Sequence, residues 1–294
     1  MKKGIDVSKW QGVIDWEKVK AAGIEFAILR ASYGDGTSRF KNNGRDEKFD
    51  RNYQEAKKVG IPIGVYHYCY AKNMNEMKKE AEFFLSIING KQFEYPIILD
   101  LEDNNQQSIN KSDLTDMAIA FLEILEKNGY YAMLYANKYW LENKLDYERL
   151  KKFDIWLAQW AAKPTWKGGF GIWQYTSDGS VSGIQGRVDM NISYKDYPTI
   201  IRQAGLNRLN EEKEEHDMSN QPNQYIIAIQ AALRDHGIDI GLVDGIAGPK
   251  TLEGVRQAVN RMTAAERELD KLKNSNNDVR LEQAKEYARK ILDI

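Results

Sequence analysis

The chain reads as an α/β protein: a barrel of short strands whose closing third is irregular, followed by a small all-α domain. Three observations predict this. Short apolar runs alternate with amphipathic helical stretches through the first two-thirds of the sequence, a pattern that argues for a parallel sheet with right-handed crossovers. The last three apolar runs follow one another too closely to leave room for long helices. Near residue 207 the periodicity stops in dense charge, and an amphipathic helix restarts only at about 225.

The strands are expected at 4–7, 26–31, 61–68, 97–101, 131–135, 155–158, 172–175 and 187–190. Between them, Met77, Ala81, Phe84, Leu85 and Ile88 recur at helical spacing, as do Leu114, Met117, Ala118, Phe121, Leu122 and Leu125. Gly129 stands where a glycine ends the second of these helices at its C′ position. In parallel barrels the chemistry sits at the C-terminal strand ends.

Chemistry is suggested first by Tyr95-Pro-Ile-Ile-Leu-Asp100-Leu-Glu102-Asp103, a buried strand that ends abruptly in acids. Residues two apart on a strand share a face, so Asp100 and Glu102 project together with Cα atoms about 6.6 Å apart. Close carboxylates disfavour each other's ionisation, so one can hold a proton near neutral pH while the other stays charged. Cleavage of a glycosidic bond needs that division of labour. Asp6 ends the first strand, and Asp189 follows the Gly-rich turn after Trp173-Gln-Tyr-Thr, so four acids are expected at strand ends.

Composition narrows the options. A length of 294 residues suits one large domain and one small one. With 42 basic and 43 acidic side chains the net charge is -1, which supplies no global field for nucleic acid or an anionic membrane. The single Cys69 cannot form an internal disulfide, in keeping with folding in a reducing cytosol, and its aromatic strand should bury it. His67, His216 and His236 are scattered, no His-Glu-x-x-His or Cys pair occurs, and no Walker or dinucleotide loop is present, so neither metal nor cofactor is implied. His67 is expected to be a hydrogen-bonded structural residue. After Met-Lys-Lys the apolar segment of a secretory signal is missing, and no run approaches a membrane span.

The pieces Gly4-Ile-Asp-Val-Ser-x-Trp, Phe26-Ala-Ile-Leu-Arg-Ala-Ser, Gly64-Val-Tyr-His-Tyr, Ile97-Ile-Leu-Asp-Leu-Glu, Leu134-Tyr-Ala-Asn, Ile155-Trp-Leu-Ala-Gln-Trp, Trp173-Gln-Tyr-Thr and Val188-Asp-Met-Asn run in order over about the first 195 residues. In this the chain resembles glycoside hydrolase family 25, the muramidases called Chalaropsis-type lysozymes. The resemblance implies an irregular (β/α)5β3 TIM-like barrel. It also implies hydrolysis of the β-1,4 bond between N-acetylmuramic acid and N-acetylglucosamine in bacterial peptidoglycan. Glu102 would be the proton donor. Asp100 would stay ionised to stabilise the charge developing at the sugar ring or to orient the 2-acetamido group. Asp6 and Asp189 would orient and tune that pair. Spacing leaves a substrate-assisted and a direct inverting route both open. Tyr66, Tyr135, Trp160 and Trp173 are candidates to stack on sugars or to bond them through polar edges, and Arg30 to bond substrate oxygens or hold a carboxylate. The rival readings are a non-catalytic wall-binding protein and a chitin-type glycosidase.

Many members of that family are phage endolysins, and the same role is expected here. The protein would be made in the host cytoplasm without a signal peptide and would reach the wall after release by a separate membrane-permeabilising protein. The expected domains are a catalytic barrel at 1–200, a linker at 201–221 and a helical wall-binding domain at 222–294. The last part resembles a peptidoglycan-binding domain through Gln230, Leu233, Asp244, Gly245, Gly248 and Thr251, residues read as structural. It departs from the pattern after Thr251, which leaves its ligand open between peptidoglycan and a secondary wall polymer, with homo-oligomerisation as a further role. Finally, Glu214-Glu-His-Asp-Met218 can be encoded by a purine-rich tract spaced for ribosome binding, so Met218 is either an internal start, whose C-terminal fragment would be free to associate with the full chain, or an ordinary linker residue.

Overall fold

The computed structural model describes residues 1–210, 224–245 and 248–273. Contacts divide the chain into two compact units, Met1–Glu212 and Lys213–Ile294. The first is a closed barrel of β1 (Lys2–Val7), β2 (Phe26–Tyr33), β3 (Ile63–Tyr68), β4 (Ile97–Asp100), β5 (Ala132–Asn137), β6 (Asp154–Ala158), β7 (Ile172–Gly179) and β8 (Val188–Ser193), paired in chain order. All eight expected strands are present, with ends shifted by a few residues. Its helices are α1 (Trp16–Ala21), α2 (Phe49–Lys58), α3 (Met74–Ile88), α4 (Lys111–Lys127), α5 (Lys138–Asn143), α6 (Tyr147–Leu150) and α7 (Tyr197–Gln203).

Strand β8 pairs antiparallel with both β7 and β1, whereas the other neighbours are parallel. One expectation is corrected by this reversal. Asp189 lies at the start of β8, not at a C-terminal strand end, and reaches the common rim because its strand runs the other way. The register sets it opposite Asp6.

Alternation along the strands sorts two cores. Phe26, Ile28, Ile98, Met133, Trp156 and Ile172 fill the barrel interior, while Leu29, Val65, Leu99, Leu134 and Leu157 pack outward against the helices. Met77, Ala81, Phe84 and Ile88 of α3 and Leu114, Phe121, Leu122 and Leu125 of α4 are the buried stripes facing them. The Asn73 and Asn110 side chains accept from the Glu76 and Asp113 backbone N–H groups and so cap these helices. Gly129 follows the Asn128 C-cap of α4 at φ 79, a left-handed conformation that suits glycine.

The end of the barrel opposite the acids is plugged by Phe26 stacked on Tyr95, ring centroids 4.4 Å apart, with Tyr197 of α7 beside them. Asn207 latches the plug. Its Nδ2 donates to Phe93 O (3.1 Å) and Tyr95 O (2.9 Å), while its Oδ1 accepts from Tyr131 N (2.8 Å). The boundary expected at residue 200 therefore falls inside α7, and the barrel unit runs on through this latch to Glu212. Met218 and most of the expected linker lie outside the described residues.

In the second unit, α8 (Gln224–Asp235) and α9 (Pro249–Lys273) pack Leu233, Ile238 and Ile240 into a small core. Gln230 fastens the connection: its Oε1 accepts from Asp244 N (3.0 Å) and Gly245 N (2.8 Å), and its Nε2 donates to Thr251 Oγ1 (3.0 Å). At Gly254 a Cβ would come within 2.6 Å of Ile240, so the bare glycine lets α9 approach this core.

Candidate active site

At the rim where β1 to β7 end and β8 begins, a cleft of about 300 Å³ is lined by Asp6, Arg30, Tyr66, Tyr68, Asp100, Glu102, Tyr135, Trp156, Trp160, Gln174 and Asp189, with Trp10 at its edge. Asp6 projects inward from β1 and is 5% exposed. Its Oδ2 accepts from Gln174 Nε2 (3.0 Å) on β7 and from Asn191 Nδ2 (2.8 Å) on β8. Asn191 is held in turn by the Trp156 indole N–H, 2.8 Å from its Oδ1. Burial first, then the charge of Asp189, pushes the Asp6 carboxyl up to about 8 against these two hydrogen bonds.

Asp100 ends β4 and Glu102 lies two residues beyond, the alternation continuing through the buried, outward-facing Leu101. Burial, then the neighbouring Glu102 and Asp6, drives the Asp100 carboxyl well above the usual range, and the Arg30 guanidinium opposes this. Its Oδ1 is buried without a partner among the described residues. Burial also raises Glu102, opposed by a hydrogen bond from Tyr135. Asp189 is raised by burial as well. Burial thus opposes the ionisation expected of Asp100, and the Arg30 guanidinium favours it.

The Arg30 Nε donates to Asp46 Oδ2 at 2.9 Å, a carboxylate that also accepts from Lys9 N (3.1 Å) and Lys48 N (2.9 Å). Arg30 thus does hold a carboxylate, although Asp46 lies outside the acid cluster. Its aim depends on a bulge: Arg30 pairs with Tyr66, whereas Ser32 pairs with His67, so Ser32 turns to the outer face. There Ser32 Oγ and His67 Nδ1 are 2.9 Å apart, and His67 Nε2 and Glu80 Oε2 are also 2.9 Å apart. All three are fully buried, which gives His67 the structural role expected of it. Cys69 is likewise buried.

Of the nine residues singled out from sequence, eight line the cleft: Asp6, Arg30, Tyr66, Asp100, Glu102, Tyr135, Trp160 and Asp189. Trp173 does not, because alternation on β7 turns it outward. It packs in the outer core and its indole donates to Gln159 O at 2.8 Å, so it is a structural residue. Its neighbour Gln174 faces the acids instead, and sequence reasoning passed over it. Asn191 was missed too, although it stands two residues from Asp189 on the same strand and so shares its face. Tyr68 donates to Asp103 Oδ2 at 3.1 Å. Trp10 and Trp160 are 76% and 63% exposed at the edges of the cleft. Indoles left in water beside a polar cleft are suited to apolar sugar faces.

A β/α barrel whose rim gathers four carboxylates beneath exposed indoles has the layout of a glycoside hydrolase. The family model for glycosyl hydrolases family 25 matches residues 5–184, and the chain belongs to that family. Among relatives, "Lysozyme M1" of Streptomyces globisporus is 30% identical over 208 residues, covering 64% of this chain and 66% of its own length. The "Autolytic lysozyme" of Clostridium acetobutylicum is 29% identical over 190 residues, covering 64% and 55%. The chain thus spans less than two-thirds of the length of either. Among solved structures, the CTP1L endolysin superposes with a TM-score of 0.60 at 30% identity, covering 69% of this chain and 70% of that one.

Proposed function

We propose that this chain is a peptidoglycan muramidase that hydrolyses the β-1,4 bond between N-acetylmuramic acid and N-acetylglucosamine, and that it serves as a phage endolysin. The observation that carries this reading is the convergence of Asp100 and Glu102 with Asp6 and Asp189 in one indole-rimmed cleft. Glu102 is the half-buried member of the central pair. It gives its proton to the glycosidic oxygen as the C–O bond breaks, and the Asp100 carboxylate stabilises the positive charge that develops at the sugar ring or orients the 2-acetamido group. Hydrolysis is completed by water, either directly or after the 2-acetamido carbonyl has attacked the anomeric carbon. Asp6 and Asp189 tune the pair by charge. Lysozymes and an endolysin among the relatives support this substrate class.

The second unit is proposed to hold the enzyme on the wall, through peptidoglycan or a secondary wall polymer. The activity of the CTP1L endolysin is regulated by a secondary translation product. An analogous product starting at Met218 would be a complete C-terminal unit free to associate with the full chain. Met218→Ile should abolish such a fragment on expression, and a fragment that survives the substitution contradicts the internal start.

Digesting purified walls and identifying the newly formed reducing sugar tests the main reading. Muramic acid supports it, glucosamine marks a chitin-type specificity, and no new reducing end marks a binding protein.

A further inference from the structure

Arg30 is held from behind and open in front. Asp46, 2% exposed and reaching in from a loop outside the acid cluster, accepts from Arg30 Nε at 2.9 Å, and its carboxylate is fixed in turn by Lys9 N (3.1 Å) and Lys48 N (2.9 Å). The guanidinium carbon lies 5.4 Å from the centre of the Tyr33 ring. Both terminal nitrogens stay without a hydrogen-bond partner among the described residues, Nη2 although it is buried. An arginine present to neutralise the acids would turn these nitrogens onto one of their carboxylates. Here its charge is met from behind instead, and the planar end of the side chain is preorganised for an acceptor that arrives with a ligand.

Arg30 is also the only lysine, arginine or histidine among the described residues that line the cleft. The rest of the titratable wall is the four acids and the phenols of Tyr66, Tyr68 and Tyr135. A carboxyl-type oxygen entering with a ligand meets like charge or a weak phenol donor everywhere except beside Arg30, where a fork of N–H groups matches it. Asp100 presents the opposite need. Its Oδ1 is buried without a partner among the described residues, and an ionised carboxylate only accepts. It stands two strands away: Arg30 on β2 pairs with Tyr66 on β3, and Tyr68 on β3 pairs with Asp100 on β4. The cleft therefore suits a ligand that carries both a hydrogen-bond donor and a carboxyl-type acceptor.

We propose that Arg30 is a specificity-determining residue: its free Nη groups receive the carboxyl-type oxygen of the 3-O-lactyl ether that distinguishes N-acetylmuramic acid from N-acetylglucosamine, while Asp100 faces the acetamido N–H on the adjacent ring carbon. This rests on the muramidase reading and deepens it. The acids and the rim indoles serve a chitin chain equally well, and Arg30 is what separates the two sugars. In intact walls the lactyl carboxyl is amide-linked to the stem peptide, and its carbonyl oxygen is then the acceptor.

The test compares the binding of three tetrasaccharides by fluorescence titration: the peptide-free repeat of N-acetylglucosamine and N-acetylmuramic acid, the same glycan with its lactyl carboxyls reduced to alcohols, and chitotetraose. The full chain carrying Glu102→Gln is used throughout, so that the glycans stay intact. In that background the muramic acid glycan should bind about tenfold to a hundredfold more tightly than either of the others, the range for a hydrogen bond to a charged group. Arg30→Lys keeps a cation beside Asp46 but lacks the planar fork, and it should bring the three affinities together by weakening the first alone. If that variant fails to fold, Arg30→Gln combined with Asp46→Asn leaves no unpaired buried charge and carries the same comparison. Equal affinities before the substitution, a preference that survives it, or an equal weakening of all three glycans overturns the proposal. Wall digestion by the unaltered chain is read separately. Absence of muramic acid ends with the affinity pattern intact would overturn the muramidase reading and still support Arg30 as the residue that selects the lactyl group.

Discussion

Asp6 and Asp189 stand opposite each other in the β1–β8 register, one inside the last turn of a strand that runs toward the cleft and the other near the start of a strand that runs away from it. An antiparallel closing strand brings two acids from opposite ends of the barrel sequence into one electrostatic unit. Burial and this neighbour push Asp6 up to about 8. An acid raised on folding favours the folded state fully only below its unfolded value near 3.9, and that contribution is lost as pH rises to the folded value. Asp6→Asn removes the titration while keeping an oxygen for Gln174 and Asn191. Its melting temperature relative to the unaltered chain should therefore rise between about pH 4 and pH 8, by several degrees, while lysis is lost. A melting difference that is flat across that range would show that Asp6 does not carry the raised pKa.

Asp100→Asn should lower kcat by about 10²–10³ with KM nearly unchanged, because what it removes is charge stabilisation needed only in the transition state. A variant that instead raises KM at constant kcat would make Asp100 a substrate-binding residue.

Two tryptophans thirteen residues apart in sequence should separate cleanly. Trp160→Ala should weaken binding of N-acetylglucosamine oligomers about tenfold by fluorescence titration, stacking being worth about 0.5–1.5 kcal/mol beyond burial, with little change in melting temperature. Trp173→Ala should cost about 3–5 kcal/mol of stability and leave oligomer affinity intact in protein that remains folded. The reverse pattern would contradict the assignment of Trp173 to the outer core.

The Asn207 latch sets where the barrel unit can be cut. A chain ending at residue 212 should fold and keep wall hydrolysis, whereas one ending at 200 should be strongly destabilised. Asn207→Ala leaves three buried backbone groups unpaired and an alanine at φ 55, a loss of about 3 kcal/mol or more. Equal melting temperatures for the two truncations would dismiss the latch. Removal of the second unit should weaken lysis of whole cells more than hydrolysis of soluble muropeptides, since tethering raises the local concentration of enzyme. Equal losses would argue against a targeting role.

Much of this architecture was legible in the residues. The eight apolar runs and the α3 and α4 stripes are local periodicities, and local periodicity survives folding. The four acids were legible because each follows an apolar run. What failed did so for non-local reasons. Trp173 looked like a sugar platform because it is large and aromatic, yet whether it or Gln174 faces inward depends on the pairing register of β7, which one strand does not encode. The reversal of β8 is likewise a property of its pairing, and Asp46 reaches Arg30 from a loop sixteen residues away. Asn207 sits in a stretch of charge that reads as linker, and only the carbonyls of Phe93 and Tyr95, more than a hundred residues earlier, reveal it as buried.

The most direct measurement is clearance of purified walls by Glu102→Gln beside the unaltered enzyme, with reducing-end analysis of both digests. Glutamine keeps the shape and removes the transferable proton, so turnover should fall by about 10²–10⁴ while wall binding persists and the unaltered enzyme releases muramic acid ends. Clearance by Glu102→Gln at close to the unaltered rate would contradict the account at its centre.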